Sequence, residues 1–400
     1  MKLLRIQKRL ERMKKLKRAY KIEINPTNEQ KSKIHRTIGA SRFIYNFYIA
    51  RNKEIYKREG KFVSGMDFSK WLNNEYIPNN QEMNWIKEVS SKATKQAIMN
   101  GDKAFRDFFK KSKGFPKFKK KKNQDVKAYF PKNNKTDWTL ERHRVKIPTL
   151  GWIRLKEFGY IPINSIVKSG TVSQKADRYY VSILVEENNE EVYECTNEGI
   201  GIDLGIKEFA ICSNGNKFKN INRTYTVKKL EKKLKREQRK LSKKYEILKF
   251  IYKKERRATG QNIQKQVVKV QKLHQKLRNI RTDYINKIVS SIIKQKPSYI
   301  TIEDLAVSNM LKNKHLSKAI ASQKFFEFKT KLMSKCKQNN IELRIVDRFY
   351  PSSKICSNCG EIKKDLKLSD RVYKCSCGFI IDRDLNASIN LKNAKEYKIA

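Results

Sequence analysis

Four cysteines near the C-terminus have the tightest chemical spacing in the chain. Cys356 and Cys359 form C-x-x-C, and Cys375 and Cys377 form C-x-C after fifteen intervening residues. Two such knuckles can present four thiolates tetrahedrally to Zn²⁺. Gly360 and Gly378 each follow the second Cys of a pair, where the backbone must turn tightly around sulfur. An iron–sulfur or rubredoxin-like iron centre, and plain burial of thiols, are the rival readings. No histidine follows His315, so the site is all-sulfur and closed, which makes it structural rather than catalytic. Cys195, Cys212 and Cys336 stand alone and read as buried apolar side chains.

Three carboxylates are the other chemical signal. Asp203 sits inside the apolar run GIGIDLGI and Glu303 lies at the end of YITIED, where a charge is costly to bury without a partner. Asp384 opens a final helix within IDRDLNAS. Strand-end and helix-cap roles account for each one singly, and Asp382 has an equal claim with Asp384 on spacing alone. Brought together, the three would repel one another and raise each other's pKa unless a cation neutralised them. Oxygen-rich sites of this kind suit Mg²⁺ or Mn²⁺. Two such ions about 3.5–4 Å apart activate water for phosphodiester cleavage without a side-chain nucleophile. The four histidines, at 35, 143, 274 and 315, are scattered. A Ser/His/Asp or Cys/His hydrolase has no support.

Those residues need elements to hold them. RAYKIEI (18–24) reads as a strand, and Thr27 with Gln30 has capping-box spacing for a helix start. Helical periodicity runs to about Phe109, with Ala97, Gly101, Phe105 and Phe108 on one stripe. Residues 126–190 switch to short β-rich runs, a small antiparallel barrel or sheet. From residue 199 the pattern is GIGIDLG, EFAIC and KFKNI as three strands, then long basic helices over 226–293. A strand at 297–304, a helix at 325–338, a strand at 341–349 and a helix from 384 follow. That is the order of an RNase H-like α/β fold. It sets the first and fourth strands side by side and the last helix across their ends, so that Asp203, Glu303 and Asp384 converge.

Composition names the class of partner. The 400 residues carry 92 Lys+Arg against 40 Asp+Glu, a formal net charge of +52. A surface so charged repels itself unless a polyanion neutralises it, which points to nucleic acid. At 38% hydrophobic and 10% aromatic residues, the chain is too apolar for a disordered basic tail. No apolar run reaches a membrane span, and the basic N-terminus lacks a secretory h-region. The odd count of seven Cys, four of them clustered, argues against a disulfide framework and for a reducing interior. In KGFPKFKKKK (113–122), Lys117, Lys119 and Lys120 are candidate phosphate contacts. The interleaved Phe105, Phe108, Phe109, Phe115, Phe118 and Phe130 could pack a base or ribose.

GIDLGIKEFA, ITIEDLAVSNM and CSNCG…YKCSCGFIIDRDLNASINL, in that order, strongly resemble the TnpB proteins of insertion sequences. These are compact RNA-guided nucleases related to type V CRISPR effectors. NPTNEQ, SRFIYNFY, KGFPKFKKKK and KIPTLGWIRL extend the resemblance over essentially the whole chain. It implies an α/β multidomain protein: a wedge-like β-barrel domain at 1–25 and 123–196, and a helical recognition lobe at 26–122. A RuvC-like nuclease domain at 197–350 and 381–400 follows, with an inserted four-cysteine zinc ribbon at 351–380. The family's Asp, Glu, Asp set maps onto Asp203, Glu303 and Asp384. In the D-R-D-x-N-A pattern the second Asp is the catalytic one, which prefers Asp384 to Asp382.

The resemblance further implies a Mg²⁺-dependent, RNA-guided DNA endonuclease of prokaryotic cytoplasm. Its guide would derive from the transposon end, with one protein per RNA. A short duplex motif would sit beside the double-stranded DNA target. Family order places 58–73, including Ser69, near that motif, where an ordinary helix–helix loop is the competing reading. The second knuckle departs from the pattern, being C-x-C where many relatives have C-x-x-C. Sixteen residues follow Asp384, so no longer tail is expected. A nuclease-dead repressor would have lost a carboxylate, and all three are present. A compact type V CRISPR effector would differ by a neighbouring repeat array.

Overall fold

The computed structural model describes residues 15–121, 126–132, 137–163, 165–188, 194–255, 260–367 and 369–400. The basic stretch 1–14 and Lys122, part of the charge argument, lie outside them. The chain divides into two compact units, Met1–Asn188 and Asn189–Ala400.

In the first unit β1 (Lys15–Asn25) leads into α1 (Asn28–Glu59) through the expected capping box. The Gln30 backbone N–H donates to Thr27 Oγ1 (3.2 Å), and the Thr27 N–H donates to Gln30 Oε1 (3.0 Å). Gly60, left-handed at φ 65°, ends the helix. Next come α2 (Gly65–Trp71) and α3 (Ser91–Phe109), separated by irregular turns. Ala97, Gly101 and Phe105 of the sequence stripe are buried. A Cβ on Gly101 would lie 2.5 Å from the Tyr48 ring, so only glycine lets α3 approach α1 this closely. Buried Asp102 ties the corner by accepting from the Gly65 N–H (3.0 Å), the Tyr48 hydroxyl (3.3 Å) and Arg106 Nε (2.6 Å).

The β-rich region supplies β2 (Val126–Pro131), β3 (Thr139–Leu140), β4 (Arg144–Ile147), β5 (Gly151–Leu155), β6 (Ile166–Lys175) and β7 (Arg178–Asn188). With β1 they form one antiparallel sheet in the order β2-β6-β7-β1-β5-β4-β3. β2 and β3 stand at its two edges, and no pairing between them is seen among the described residues. Two aromatic expectations are corrected here. Phe105 is packed in the helical core and Phe130 in the sheet core, so neither can meet a base. Phe109, Phe115 and Phe118 remain about half exposed.

The second unit opens with β8 (Gly199–Leu204), β9 (Glu208–Cys212) and β10 (Lys217–Lys219), then the helices α4 (Tyr225–Glu255) and α5 (Gln261–Ile293). β11 (Tyr299–Glu303), α6 (Ser317–Gln323), α7 (Phe325–Gln338) and β12 (Glu342–Val346) follow. A small hairpin of β13 (Val372–Lys374) and β14 (Ile380–Asp382) precedes α8 (Arg383–Lys392) and β15 (Lys398–Ile399). The sheet order is β10-β9-β8-β11-β12-β15, with β8, β11 and β12 parallel. α6 and β15 were not foreseen, and the last helix ends at Lys392 because β15 pairs with β12.

Alternation sorts the sheet's two faces. Ile200, Ile202, Ile300, Ile302 and Leu343 pack with Ile285, Ile288, Ile292, Phe325, Phe328 and Leu332 of α5 and α7. Gly199, Gly201 and Asp203 point the other way, where α8 crosses. A Cβ on Gly201 would lie 2.0 Å from the Ser388 carbonyl oxygen, so the helix backbone rests directly on the strand. Separately, Val227 and Leu234 of α4 meet Val270 and Leu277 of α5 in a small apolar cluster.

Candidate functional site

Parity and register bring two carboxylates side by side. Ile202 is paired with Ile302, so Asp203 and Glu303, one residue on, leave adjacent parallel strands at the same edge and on the face that α8 crosses. Asp384 occupies the first turn of α8. Burial pushes the Asp203 carboxyl up to about 7, reinforced by Asp384 and Glu303 and opposed by Arg383. Burial, with the Asp304 charge beside it, pushes Glu303 to about 7 as well. The three predicted residues therefore share one electrostatic site.

The structure separates Asp382 from Asp384. Asp382 Oδ1 accepts from the Asp384 and Leu385 backbone N–H groups at 3.1 and 3.0 Å, which makes it the N-cap of α8. Asp384 instead turns its carboxylate to Arg383 (3.2 Å) and Arg371 (4.0 Å). These arginines were missed in the sequence, since nothing in the D-R-D run says which way Arg383 points and Arg371 lies outside that run.

The four cysteines are gathered as expected. Their sulfurs lie within 4.8 Å of one another, the one such ligand set among the described residues. Asp203, Glu303 and Asp384 do not form such a set of three within that limit. Cys356 and Cys377 sulfurs are 3.8 Å apart, and those of Cys359 and Cys375 are 3.6 Å apart. Tetrahedral zinc with Zn–S near 2.3 Å requires about 3.8 Å between sulfurs, so the donor set fits. Gly360 and Gly378, at φ 81° and 84°, make the turns that L side chains resist. Their N–H groups donate to the Cys356 and Cys375 carbonyls. The Phe379 backbone N–H holds the Cys377 thiol down to about 7, while burial and bonds among the sulfurs push Cys359 up to about 12.

Sequence reading also missed the link between the ribbon and α8. Asn386, fully buried, accepts from the Ser357 N–H (3.0 Å) and donates to the Ile355 carbonyl (2.6 Å). Asn390 donates to the Ile355 and Ser352 carbonyls, both at 2.7 Å. Two carboxamides one helical turn apart thus fasten the base of the first knuckle to the helix carrying Asp384. The available signal was asparagine at i and i+4 on a helix face otherwise committed to packing.

The predicted nucleic-acid contacts divide. Lys117 and Lys120 are exposed. Lys119 is half-buried, its backbone clamped at both ends by Asn46 (2.8 and 3.0 Å) and its amine 3.7 Å from the Tyr45 ring centroid. Burial, with Lys127 nearby, pulls its pKa down. It still borders a cavity of about 840 Å³ lined by Arg42, Lys127, Gln96 and Asn100. Ser69 lines a separate cavity of about 580 Å³ with Lys92 and Lys95. In the second unit a groove of about 780 Å³ is bordered by Lys228, Lys232, Lys235, Arg278 and Lys318. Glu231, its one carboxylate, is bound to Arg281 at 2.7 Å.

Known proteins resemble this chain over most of its length. The profile described as "Probable transposase", of the insertion-sequence OrfB proteins, matches residues 182–314. Their helix-turn-helix profile matches 13–61, and the Cas12f1-like TNB domain matches 325–391. InsQ of Escherichia coli K12, named for RNA-guided DNA endonuclease activity, is 31% identical across 95% of this chain and 92% of its own length. The chain belongs to the TnpB family. A relative from Streptomyces pristinaespiralis named for the same activity is 30% identical over 95% of this chain and 89% of its own. The Cas12f1 protein from a complex with single-guide RNA and target DNA superposes with a TM-score of 0.60 at 13% identity. That match covers 96% of this chain and all of that one, so the likeness is one of fold. No described helix is long and apolar enough to cross a membrane.

Proposed function

We infer that this TnpB-family chain is an RNA-guided DNA endonuclease of transposon origin. Its second unit is RuvC-like and cuts DNA at Asp203, Glu303 and Asp384. The observation that carries the reading is the meeting of two adjacent strand ends and one helix start, each bearing a carboxylate, on one face of the sheet. Guide RNA and double-stranded target DNA are its partners. The cationic borders of the grooves and the net charge of +52 suit their phosphates. Residues 197–350 and 381–400 would form the nuclease domain, 351–380 the zinc-binding domain, 26–122 the recognition lobe, and 1–25 with 123–196 the wedge. A reducing cytoplasm keeps the four thiols available.

Two divalent cations, Mg²⁺ or Mn²⁺, would supply activation of a water and stabilisation of the leaving oxygen. The chain's own residues prepare for them. Burial and neighbouring negative charge raise the Asp203 and Glu303 carboxyls to about 7, and a bound cation would favour their charged forms. Arg383 offsets part of the negative charge around Asp203 and Asp384. Asp382 spends its carboxylate on the helix cap, whereas Asp384, ion-paired to Arg383, adds its charge to that around Asp203. Cys356, Cys359, Cys375 and Cys377 would hold one structural Zn²⁺.

Guide-loaded Asp203→Ala, Asp384→Ala and Asp382→Ala proteins of matched RNA content test the assignment. The first two should bind target DNA and fail to cut it. Asp382→Ala should cost about 1 kcal/mol of helix stability and keep cutting. Near-normal cleavage by Asp384→Ala with loss in Asp382→Ala would reverse the third ligand. Cleavage by all three would refute the nuclease site.

A further inference from the structure

Directly beyond the end of β12, the turn at 347–350 stands at the edge of the sheet where Asp203 and Glu303 emerge. Val346 is in register with Glu303, and the Asp304 N–H donates to the Val346 carbonyl at 3.0 Å. Arg348 reaches back to Asp304, the residue after Glu303, at 3.9 Å. At about 3.3 Å per residue the turn begins within roughly 10 Å of Glu303 along the strand direction.

The tip of this turn is Phe349, at 85% the most exposed large hydrophobic among the described residues. Its exposure does not come from a slack loop. The Phe349 N–H donates to Asp347 Oδ1 (2.9 Å), and the Tyr350 N–H donates to the Asp347 carbonyl (3.1 Å). Tyr350 packs against Val346 and Leu391, and its hydroxyl donates to the Asn390 carbonyl at 3.3 Å. One side of Phe349 is thus pinned to β12 and the other to α8, the two elements flanking the carboxylates. A rigid turn that thrusts a phenyl ring into water, next to an arginine, is poorly suited to folding and well suited to holding an unpaired nucleotide. Aromatic faces stack bases regardless of sequence, and a neighbouring cation takes the phosphate.

We propose that Phe349 stacks on a base in the single-stranded stretch of the DNA being cut, with Arg348 at its phosphate, and so sets which phosphate lies at the carboxylates. This rests on the nuclease reading of Asp203, Glu303 and Asp384, and it adds a substrate-positioning residue outside that set. The base must be unpaired, since a paired and stacked base has no free face to offer.

The test compares guide-loaded wild type, Phe349→Ala, Phe349→Trp and a control, Phe326→Ala, another exposed phenylalanine that lies on α7. Base stacking on an aromatic is worth about 1–3 kcal/mol, which predicts a cut roughly 5- to 140-fold slower for Phe349→Ala. Target binding and melting temperature should be unchanged, and Phe349→Trp should restore the rate. Scanning a single abasic site along the target should find one position that slows wild type by the same factor. That lesion should add nothing in Phe349→Ala. Equal rates for Phe349→Ala and Phe326→Ala would overturn the proposal. So would abasic effects that multiply independently of the mutation, or a slow Phe349→Ala complex of altered particle mass, which would mark a protein contact instead. Cutting by Asp203→Ala would instead sink the nuclease reading, which keeps the two failures apart.

Discussion

Replacing Asn386 by alanine should loosen the metal ribbon and the helix carrying Asp384 together, by an amount the hydrogen bonds set. The Ser357 N–H, half-buried, loses its acceptor at 3.0 Å, while the Ile355 carbonyl keeps its bond from Asn390 at 2.7 Å. A fully buried orphaned donor costs about 1–3 kcal/mol, and a half-buried one falls within the lower two-thirds of that range. A value near 2 kcal/mol corresponds to roughly 30-fold faster hydrogen exchange at the Ser357 amide if exchange follows local opening. Asn390→Ala should cost less, about 1 kcal/mol, since it removes one of two donors from Ile355 and leaves a single carbonyl, that of Ser352, without its side-chain donor. The double variant strips the Ile355 carbonyl of both donors, so its cost should exceed the sum by about 1 kcal/mol. Exchange measured by mass spectrometry on metal-loaded protein reads all three, and guided cleavage reads Asp384. Strict additivity, or unchanged Ser357 exchange in Asn386→Ala, would refute the shared-carbonyl argument. Loosened exchange with undiminished cutting would show that this link does not place Asp384.

Gly201→Ala puts a methyl 2.0 Å from the Ser388 oxygen and 2.4 Å from the Lys392 nitrogen, both backbone atoms. It should destabilise the second unit by about 1–3 kcal/mol and abolish cutting; a variant with wild-type melting and activity would contradict the contact. Asp203 and Glu303 have folded-state pKa values of about 7, above their ordinary 3.8 and 4.5. The folded state therefore holds more protons between about pH 4 and 7, and these groups make Mg²⁺-free protein less stable as pH rises through that window. Asp203→Asn with Glu303→Gln should flatten this dependence in thermal melts, and an unchanged slope would disprove it. Cys375→Ser should lower bound zinc, measured by elemental analysis, and slow cutting through the ribbon; full zinc content with full activity would exclude a four-sulfur site. Guide affinity should fall about a thousandfold or more between about 50 and 200 mM salt if six or more phosphates are neutralised, and a flat response would undercut the charge argument.

The parts of this site legible in the sequence were those fixed by local rules. Thr27 and Gln30 cap α1 because the box needs only three residues of separation. The C-x-x-C and C-x-C pairs state their own geometry. Asp203 and Glu303 stood out because a carboxylate ending an apolar strand is costly at any tertiary position. Asp382 and Asp384 could not be separated by spacing, because the choice depends on which carboxylate turns back onto the helix N–H groups. The partners of Asn386 lie some thirty residues upstream, beyond any periodic signal. The aromatic reading failed at Phe105 and Phe130 for a related reason. Proximity to lysine in sequence says nothing about which face of an element a ring takes.

This division explains why the third carboxylate depends on long-range contacts. Asp203 and Glu303 are positioned by the sheet itself, through a register that backbone hydrogen bonds enforce. Asp384 is different, because the whole ribbon intervenes between β12 and α8, and so long an excursion cannot place a side chain by tethering alone. Its position must be set by contacts at both ends of its helix. Gly201 supplies one, by letting the Ser388 and Lys392 backbone rest on β8. Asn386 and Asn390 supply another, by fixing the first knuckle to the helix. The Asp382 cap adds stability to the first turn of that helix without being needed to place it. A metal held by the four cysteines would then have a functional consequence although it would touch no substrate. Sulfur ligation there would stiffen Ile355 and Ser357, which hold the helix that carries Asp384.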